Sequence, residues 1–188
     1  MTPEQILKLY DAKYAREYDE KFLTSEVGGA DAEYEVQMLK RLLADGGPWL
    51  DVACGTGYFL SLFPQVERAG LDLSPDMLAV AARRNQNVVF FQQNYLDRTP
   101  EWANHWKLVS CMWYAYGFVS TMVELEQLIE NLARWTAPDG ICFVPLCDPV
   151  LLSGVPIPYD VSGSPWPGRV LVTGITWSYF EQDGSKHE

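Results

Sequence analysis

The stretch from Trp49 to Gly57, reading WLDVACGTG, constrains the chain more than any other. An apolar run of Trp49, Leu50 and Val52 breaks at Gly55-Thr56-Gly57 and resumes at Tyr58, Phe59 and Leu60. That order reads as strand, glycine turn, helix. Glycines at 55 and 57 open backbone conformations closed to other residues and leave no Cβ between a ligand and the main chain. Further strand and helix patterns alternate after this turn, and such alternation predicts a mainly parallel sheet with helices on both faces.

The details of the turn decide what it can hold. A dinucleotide fingerprint needs a third glycine where this chain has Leu60, and a P-loop needs Gly-Lys-Ser/Thr, which is absent. No phosphate-binding motif survives. What remains is Asp51 at the head of the strand, the Gly-x-Gly turn, and Asp72 closing the next apolar segment, Ala69 to Leu73. An acid about 20 residues into such a unit accepts hydrogen bonds from ribose hydroxyls. The ligand therefore reads as a nucleoside without a pyrophosphate.

On these two motifs, Asp51-Val-Ala-Cys-Gly-Thr-Gly57 and Leu71-Asp-Leu-Ser-Pro-Asp-Met-Leu78, the chain resembles the Rossmann-like (class I) S-adenosylmethionine-dependent methyltransferases of the small-molecule type. The resemblance runs from about Tyr10 to Leu146. It implies a three-layer α/β fold, S-adenosylmethionine as cofactor and S-adenosylhomocysteine as product. It implies cofactor contacts at Asp51, Ala53, Cys54, Gly55 and Gly57 in the turn and at Asp72, Leu73 and Met77 beside the ribose and adenine. Further contacts fall at Asn94 and Tyr95, where the family usually carries an Asp, and at Met112. An Asn carbonyl can accept the same bond from an adenine amino group. An N-terminal Tyr14-Ala-Arg-Glu-Tyr18-Asp19 matches a family segment that crosses the cofactor, offering Tyr14 and Tyr18.

Ligands of open parallel sheets bind at the carboxyl ends of the strands, so Trp113-Tyr114-Ala115-Tyr116-Gly117-Phe118, just past the fourth strand, is expected to line an acceptor pocket. Trp113, Tyr116 and Asp160 are the substrate candidates, and Tyr116 and Tyr14 the candidates for removing a proton from the acceptor. His105 lies in a polar loop and His187 near the chain's end. No His/Cys/Asp cluster has metal-ligand spacing, so no metal is expected. Other readings are a different nucleoside-using transferase on the same scaffold and a silent cofactor-binding or dimerisation module.

Composition narrows the partners. The net charge of −11, with no Lys/Arg-rich stretch, repels phosphate backbones and disfavours nucleic acid. The longest nearly uncharged apolar run, Leu108 to Val119, is too short to span a bilayer and the N-terminus is not signal-like, so a cytoplasmic location is expected. Cys54, Cys111, Cys142 and Cys147 lack Cys-x-x-Cys spacing and read as reduced core residues.

In chain order, residues 3–22 read as one helix with Tyr10, Tyr14, Tyr18 and Phe22 on a single face. Gly28-Gly29 reads as a break, 31–44 as a packing helix, 58–63 as a short helix, and Ser74-Pro75 as a helix start. Strands are expected at 88–92, 107–113 and 140–146, and a helix from the Thr121/Glu124 capping box to Pro138-Asp139-Gly140. The whole reads as a single methyltransferase domain, 1–188: a helical cap (1–45), a cofactor-binding core (46–147), and a substrate loop with a C-terminal β lid segment (148–188). Six prolines between Pro145 and Pro167 mark the loop. The family's remaining helix and last two strands have no counterpart before residue 188, which reads as a fragment or a shortened form. Five parallel strands ordered 3-2-1-4-5 are expected, with the fifth strand left as an edge, and a homodimer is left open by that edge.

Overall fold

The computed structural model describes residues 1–25, 28–145, 169–173, 176–180 and 186–187. Its centre is a five-stranded, all-parallel sheet in the order β3-β2-β1-β4-β5, formed by β1 (Trp49–Val52), β2 (Arg68–Asp72), β3 (Val89–Gln92), β4 (Trp106–Cys111) and β5 (Thr136–Phe143). The expected strand order is the one observed. Alternation along the strands sends side chains to opposite faces. Trp49 and Leu108 pack on one face with Leu39 and Leu43 of α3 (Gly28–Leu42 and the turn after it), Phe59 and Leu60 of α4 (Tyr58–Ser61), and Leu78 of α5 (Pro75–Arg84). Leu50, Val52, Val109 and Cys111 face the other way, onto Leu128, Leu132 and Trp135 of α6 (Met122–Trp135). These two buried clusters make the three-layer α/β sandwich.

The N-terminal region differs from the single helix expected. α1 (Pro3–Leu9) opens with a capping box in which Thr2 and Gln5 bond reciprocally. It ends at Tyr10, because Asp11 caps a new helix, α2 (Ala12–Tyr18), by accepting from the backbone N–H groups of Lys13 and Tyr14 at 2.9 and 2.8 Å. One π-turn, Asp19–Leu23, follows, closed by Thr24 N–H donating to Asp19 O. The aromatic stripe nonetheless survives the break: Tyr10 meets Tyr14 edge-to-face at 5.3 Å, and Tyr18 meets Phe22 at 5.0 Å.

Other corrections are local. Gly28 and Gly29 form the first turn of α3 rather than a break. The helix after the glycine turn stops at Ser61, and the fourth strand stops at Cys111, leaving Met112 and Trp113 beyond its end. β5 begins at Thr136, not 140. Its pairing jumps from Trp106↔Thr136 to Leu108↔Ile141, so Pro138-Asp139-Gly140 bulges out of the ladder. An edge strand tolerates a proline there, and Lys107 Nζ holds the bulge by donating to Asp139 at 2.5 Å. Cys54 and Cys111 are buried, whereas Cys142, on this edge strand, is exposed rather than part of the core.

A second, antiparallel sheet in the order β6-β7-β8 joins Arg169–Thr173, Thr176–Phe180 and Lys186–His187. It covers the segment expected as the β lid and extends it by a short third strand. Among the described residues no helix is long and apolar enough to cross a membrane.

Candidate active site: two joined cavities at the carboxyl ends of the strands

The glycine turn follows β1 directly, and its backbone is built for exposure. Ala53, Gly55 and Gly57 all have φ between 55° and 67°. At Gly55 a Cβ would meet no heavy atom within 4 Å, so the turn presents open main chain there. Gly57 has a different reason: a Cβ would lie 2.7 Å from Asn85 Nδ2 and 3.0 Å from Ala81, so α5 could not pack so closely against the turn. Asn85 secures that approach by donating to Gly57 O at 3.0 Å.

Two cavities open at this end of the sheet. The larger, about 200 Å³, is walled by Asp72, Leu73 and Met77 after β2, by Gln93 to Leu96 after β3, by Met112, Trp113, Ala115 and Phe118 after β4, and by Ile6, Tyr10 and Tyr18 of the N-terminal arm. The smaller, about 30 Å³, is walled by Asp51, Cys54, Thr56, Tyr58 and Phe59. Tyr18, Ala53, Gly55, Met112 and Trp113 border both. The structure thus brings most of the expected cofactor residues onto one continuous wall. Tyr14, Tyr116 and Gly57 border neither cavity, and Asp160 lies outside the described residues. His105 stacks edge-on against Trp106, away from both.

Each acid is held in a particular way. Asp72 accepts from Gly55 N–H and Ser74 N–H, both at 2.8 Å, so its carboxylate fixes the glycine turn as well as facing the larger cavity. Burial raises its pKa, and those backbone donors oppose the rise. Asp51 is fully buried and accepts from Ser110 Oγ at 2.6 Å, while Ser110 accepts from Trp49 Nε1 at 2.8 Å. Burial pushes Asp51 up to about 7, with the Ser110 hydroxyl pulling it down. Burial likewise raises Tyr10, Tyr18 and Tyr95, which keeps these phenols protonated as donors at neutral pH.

The base-side wall is set by loops rather than side chains alone. Asn94 Oδ1 accepts from Leu96 N–H at 2.9 Å, and Asn131 Nδ2 on α6 donates to Tyr95 O and Asp97 O at 2.8 and 3.2 Å. The arm is tied down at two points. Ser74 Oγ donates to Tyr10 O at 2.8 Å, and Asp19 accepts from Thr56 Oγ1 at 2.6 Å while pairing with Arg84, which also donates to Thr56 O at 3.1 Å. Sequence reading missed Tyr10, Gln93 and Glu124 as wall residues, whereas Phe118 belongs to the cluster expected to line the pocket. Tyr10 was visible in the aromatic stripe; Glu124 was legible only as a helix cap.

These walls suit S-adenosylmethionine. The open main chain at Gly55, the spare lone pairs of Asp72 and the apolar Leu73 and Met77 fit a nucleoside, and Asp51 in the small, mostly apolar cavity fits an ammonium group. Comparison with known proteins agrees. Residues 50–140 match the family model described as a methyltransferase domain. The chain is 31% identical over 188 residues to the dTDP-3-amino-3,6-dideoxy-alpha-D-glucopyranose N,N-dimethyltransferase of Streptomyces fradiae, spanning 95% of this chain and 70% of that protein. It is 30% identical over 117 residues to the dTDP-4-amino-2,3,4,6-tetradeoxy-D-glucose N,N-dimethyltransferase of Saccharopolyspora spinosa, spanning 61% of this chain and 46% of that one. Among solved structures it is similar to the DhpI-SAM-HEP complex, with 26% identity and a TM-score of 0.62 over 97% of this chain and 78% of that one. The chain belongs to the class I S-adenosylmethionine-dependent methyltransferases.

Proposed function

We propose that this protein methylates the amino nitrogen of a small acceptor, with amino sugars as the substrate class to try first. The observation that carries this reading is the likeness over nearly the whole chain to a protein named as an amino-sugar N,N-dimethyltransferase. The acids lining the cavities add physical support, since Asp51, Asp72 and Glu124 favour cationic groups.

The cofactor supplies a methyl group already activated by its sulfonium. The chain's own task is alignment, exclusion of water and management of one proton. Asp72 would hold the ribose hydroxyls, Leu73, Met77 and Leu96 the faces of the base, and Asn94 with Tyr95 its polar edge. Asp51 would meet the ammonium group of the amino-acid end. Ile6, Tyr10 and Phe118 add apolar and aromatic wall to the larger cavity. An amine attacks through its lone pair, so an acceptor arriving as ammonium must first lose a proton. Tyr14 and Tyr116 border neither cavity, and Glu124, carried by α6 and facing the larger one, takes that role in this proposal.

The test is methyl transfer to a panel of free amino sugars, nucleotide-linked amino sugars, simple amines and phenols, read by mass spectrometry. Methylated amine is the expected product. Methylation of phenols alone, or none while S-adenosylhomocysteine still binds, would overturn the proposal. Glu124→Gln keeps an acceptor for Ser120 N–H, and should slow transfer on the order of 100-fold with cofactor affinity unchanged.

A further inference from the structure

We propose that Arg84 is a positioning residue for the amino-acid end of the cofactor: its guanidinium fixes the walls of the smaller cavity from outside. This rests on the placement of the ammonium group beside Asp51 given above, and concerns a residue that borders neither cavity.

Arg84 is the last residue of α5. Its Nη1 donates to Thr56 O and to Thr56 Oγ1, both at 3.1 Å, and its Nη2 pairs with Asp19. Thr56 Oγ1 in turn donates to Asp19 Oδ1 at 2.6 Å, which closes a ring of three side chains. The guanidinium also lies over the Tyr58 ring, 5.8 Å from its centroid, within the range of a cation–π contact. A lone, partly exposed ion pair contributes little. Here one planar fork holds a buried hydroxyl, the backbone carbonyl of the same residue and a carboxylate at fixed angles, which a point charge cannot do.

Each of these partners bears on the smaller cavity. Thr56 and Tyr58 are wall residues, and Asp19 directly follows Tyr18, which borders both cavities. Asn85, the next residue after Arg84, donates to Gly57 O, so the end of α5 holds two successive carbonyls of the glycine turn. A cavity of about 30 Å³ has room for one small group, so a small displacement of its walls changes what it admits. Most of the larger cavity is held by other means: Asp72 by the Gly55 and Ser74 N–H groups, the 94–97 loop by Asn131, and Tyr10 by Ser74. Loss of Arg84 is therefore felt at the amino-acid end and not at the nucleoside.

Calorimetry with S-adenosylhomocysteine and with methylthioadenosine, which keeps the nucleoside and sulfur but lacks the amino-acid end, tests this on wild type, Arg84→Gln and Arg84→Lys. Where the heat of methylthioadenosine is small, it is titrated by displacement of S-adenosylhomocysteine. Arg84→Gln should bind S-adenosylhomocysteine about 10-fold more weakly, as expected when one bond to a charged group is lost or misplaced, and methylthioadenosine within about 2-fold of wild type. Arg84→Lys keeps the stem and the charge but not the fork, and should remain at least about 3-fold weaker than wild type for S-adenosylhomocysteine alone; it decides the matter if Arg84→Gln does not fold. Unchanged S-adenosylhomocysteine affinity in either variant, even with a lowered melting temperature, would mark a merely structural role and overturn the inference, as would equal weakening of both ligands. A wild type that binds methylthioadenosine as tightly as S-adenosylhomocysteine would remove the placement of the amino-acid end, and one that binds neither would remove the cofactor reading itself.

Discussion

Asp51 carries a buried relay, Trp49 to Ser110 to Asp51, directly beneath the glycine turn. With its pKa at about 7, folded Asp51 keeps a proton that the unfolded chain gives up near pH 4. The stability this contributes is complete below about pH 4 and is lost as pH rises to about 7. Asp51→Asn should therefore stabilise the ligand-free protein at pH 8, on the order of 2 kcal/mol relative to wild type, with the difference vanishing near pH 4 in urea titrations. The same carboxylate must be ionised to meet an ammonium group, so wild-type affinity for S-adenosylhomocysteine should fall as pH drops through 7. In Asp51→Asn that slope should flatten; a slope equal to wild type would place the ammonium elsewhere. Asp72 shows what one sequence could and could not reveal. Its place beside a nucleoside was legible from its spacing to the turn, because that spacing follows from one βα unit. Its bond to Gly55 was not, since that bond depends on how β1 and β2 align. Asp72→Ala should consequently weaken cofactor binding and also cost about 1–3 kcal/mol of stability, because two backbone donors lose their acceptor. Thermal melts in the absence of ligand separate the two effects.

At the level of elements, the N-terminal arm is the part whose sequence pattern was true but incomplete. Aromatic residues every four positions marked the face that packs, yet the helix divides because Asp11 satisfies two backbone donors better than a continued turn would. That division brings Tyr10 and Tyr18, rather than Tyr14, to the cavity. Asp19, Thr56 and Arg84 then couple the arm to the glycine turn. Asp19→Ala should release this junction, costing about 1 kcal/mol and raising amide hydrogen exchange across residues 12–23. Exchange in 12–23 that matches wild type would show the junction to be idle. α6 plays the corresponding part on the other side of the sheet. Asn131 is buried and clamps the 94–97 loop through two carbonyls, so Asn131→Leu should cost about 1–3 kcal/mol. Its position on the inward face of a helix was readable from periodicity; its polar partners were not, because they come from a distant segment. β5 illustrates the opposite failure. Pro138-Asp139-Gly140 carries every local sign of a stop, and the edge position of the strand absorbs it as a bulge.

For the molecule as a whole, strand–helix alternation pointed to a parallel sheet, while the order 3-2-1-4-5 came with the family resemblance, since right-handed crossovers alone leave several arrangements. The two sides of the sheet followed from residue alternation along β1 and β4. The division of the site into a nucleoside-sized cavity and a smaller acidic one was not legible, because it depends on Tyr18, Met112 and Trp113 converging from separate elements. The chain spans 70% of the length of one methyltransferase relative and 46% of another, while containing both motifs that build these cavities. The central claim is that these cavities bind S-adenosylmethionine and its product. Isothermal titration of the protein at pH 8, where Asp51 is ionised, with S-adenosylhomocysteine and separately with NADH is the most direct test. The account predicts saturable one-to-one binding of S-adenosylhomocysteine and no heat with NADH. No binding of S-adenosylhomocysteine by folded protein, or equal binding of NADH, would contradict it.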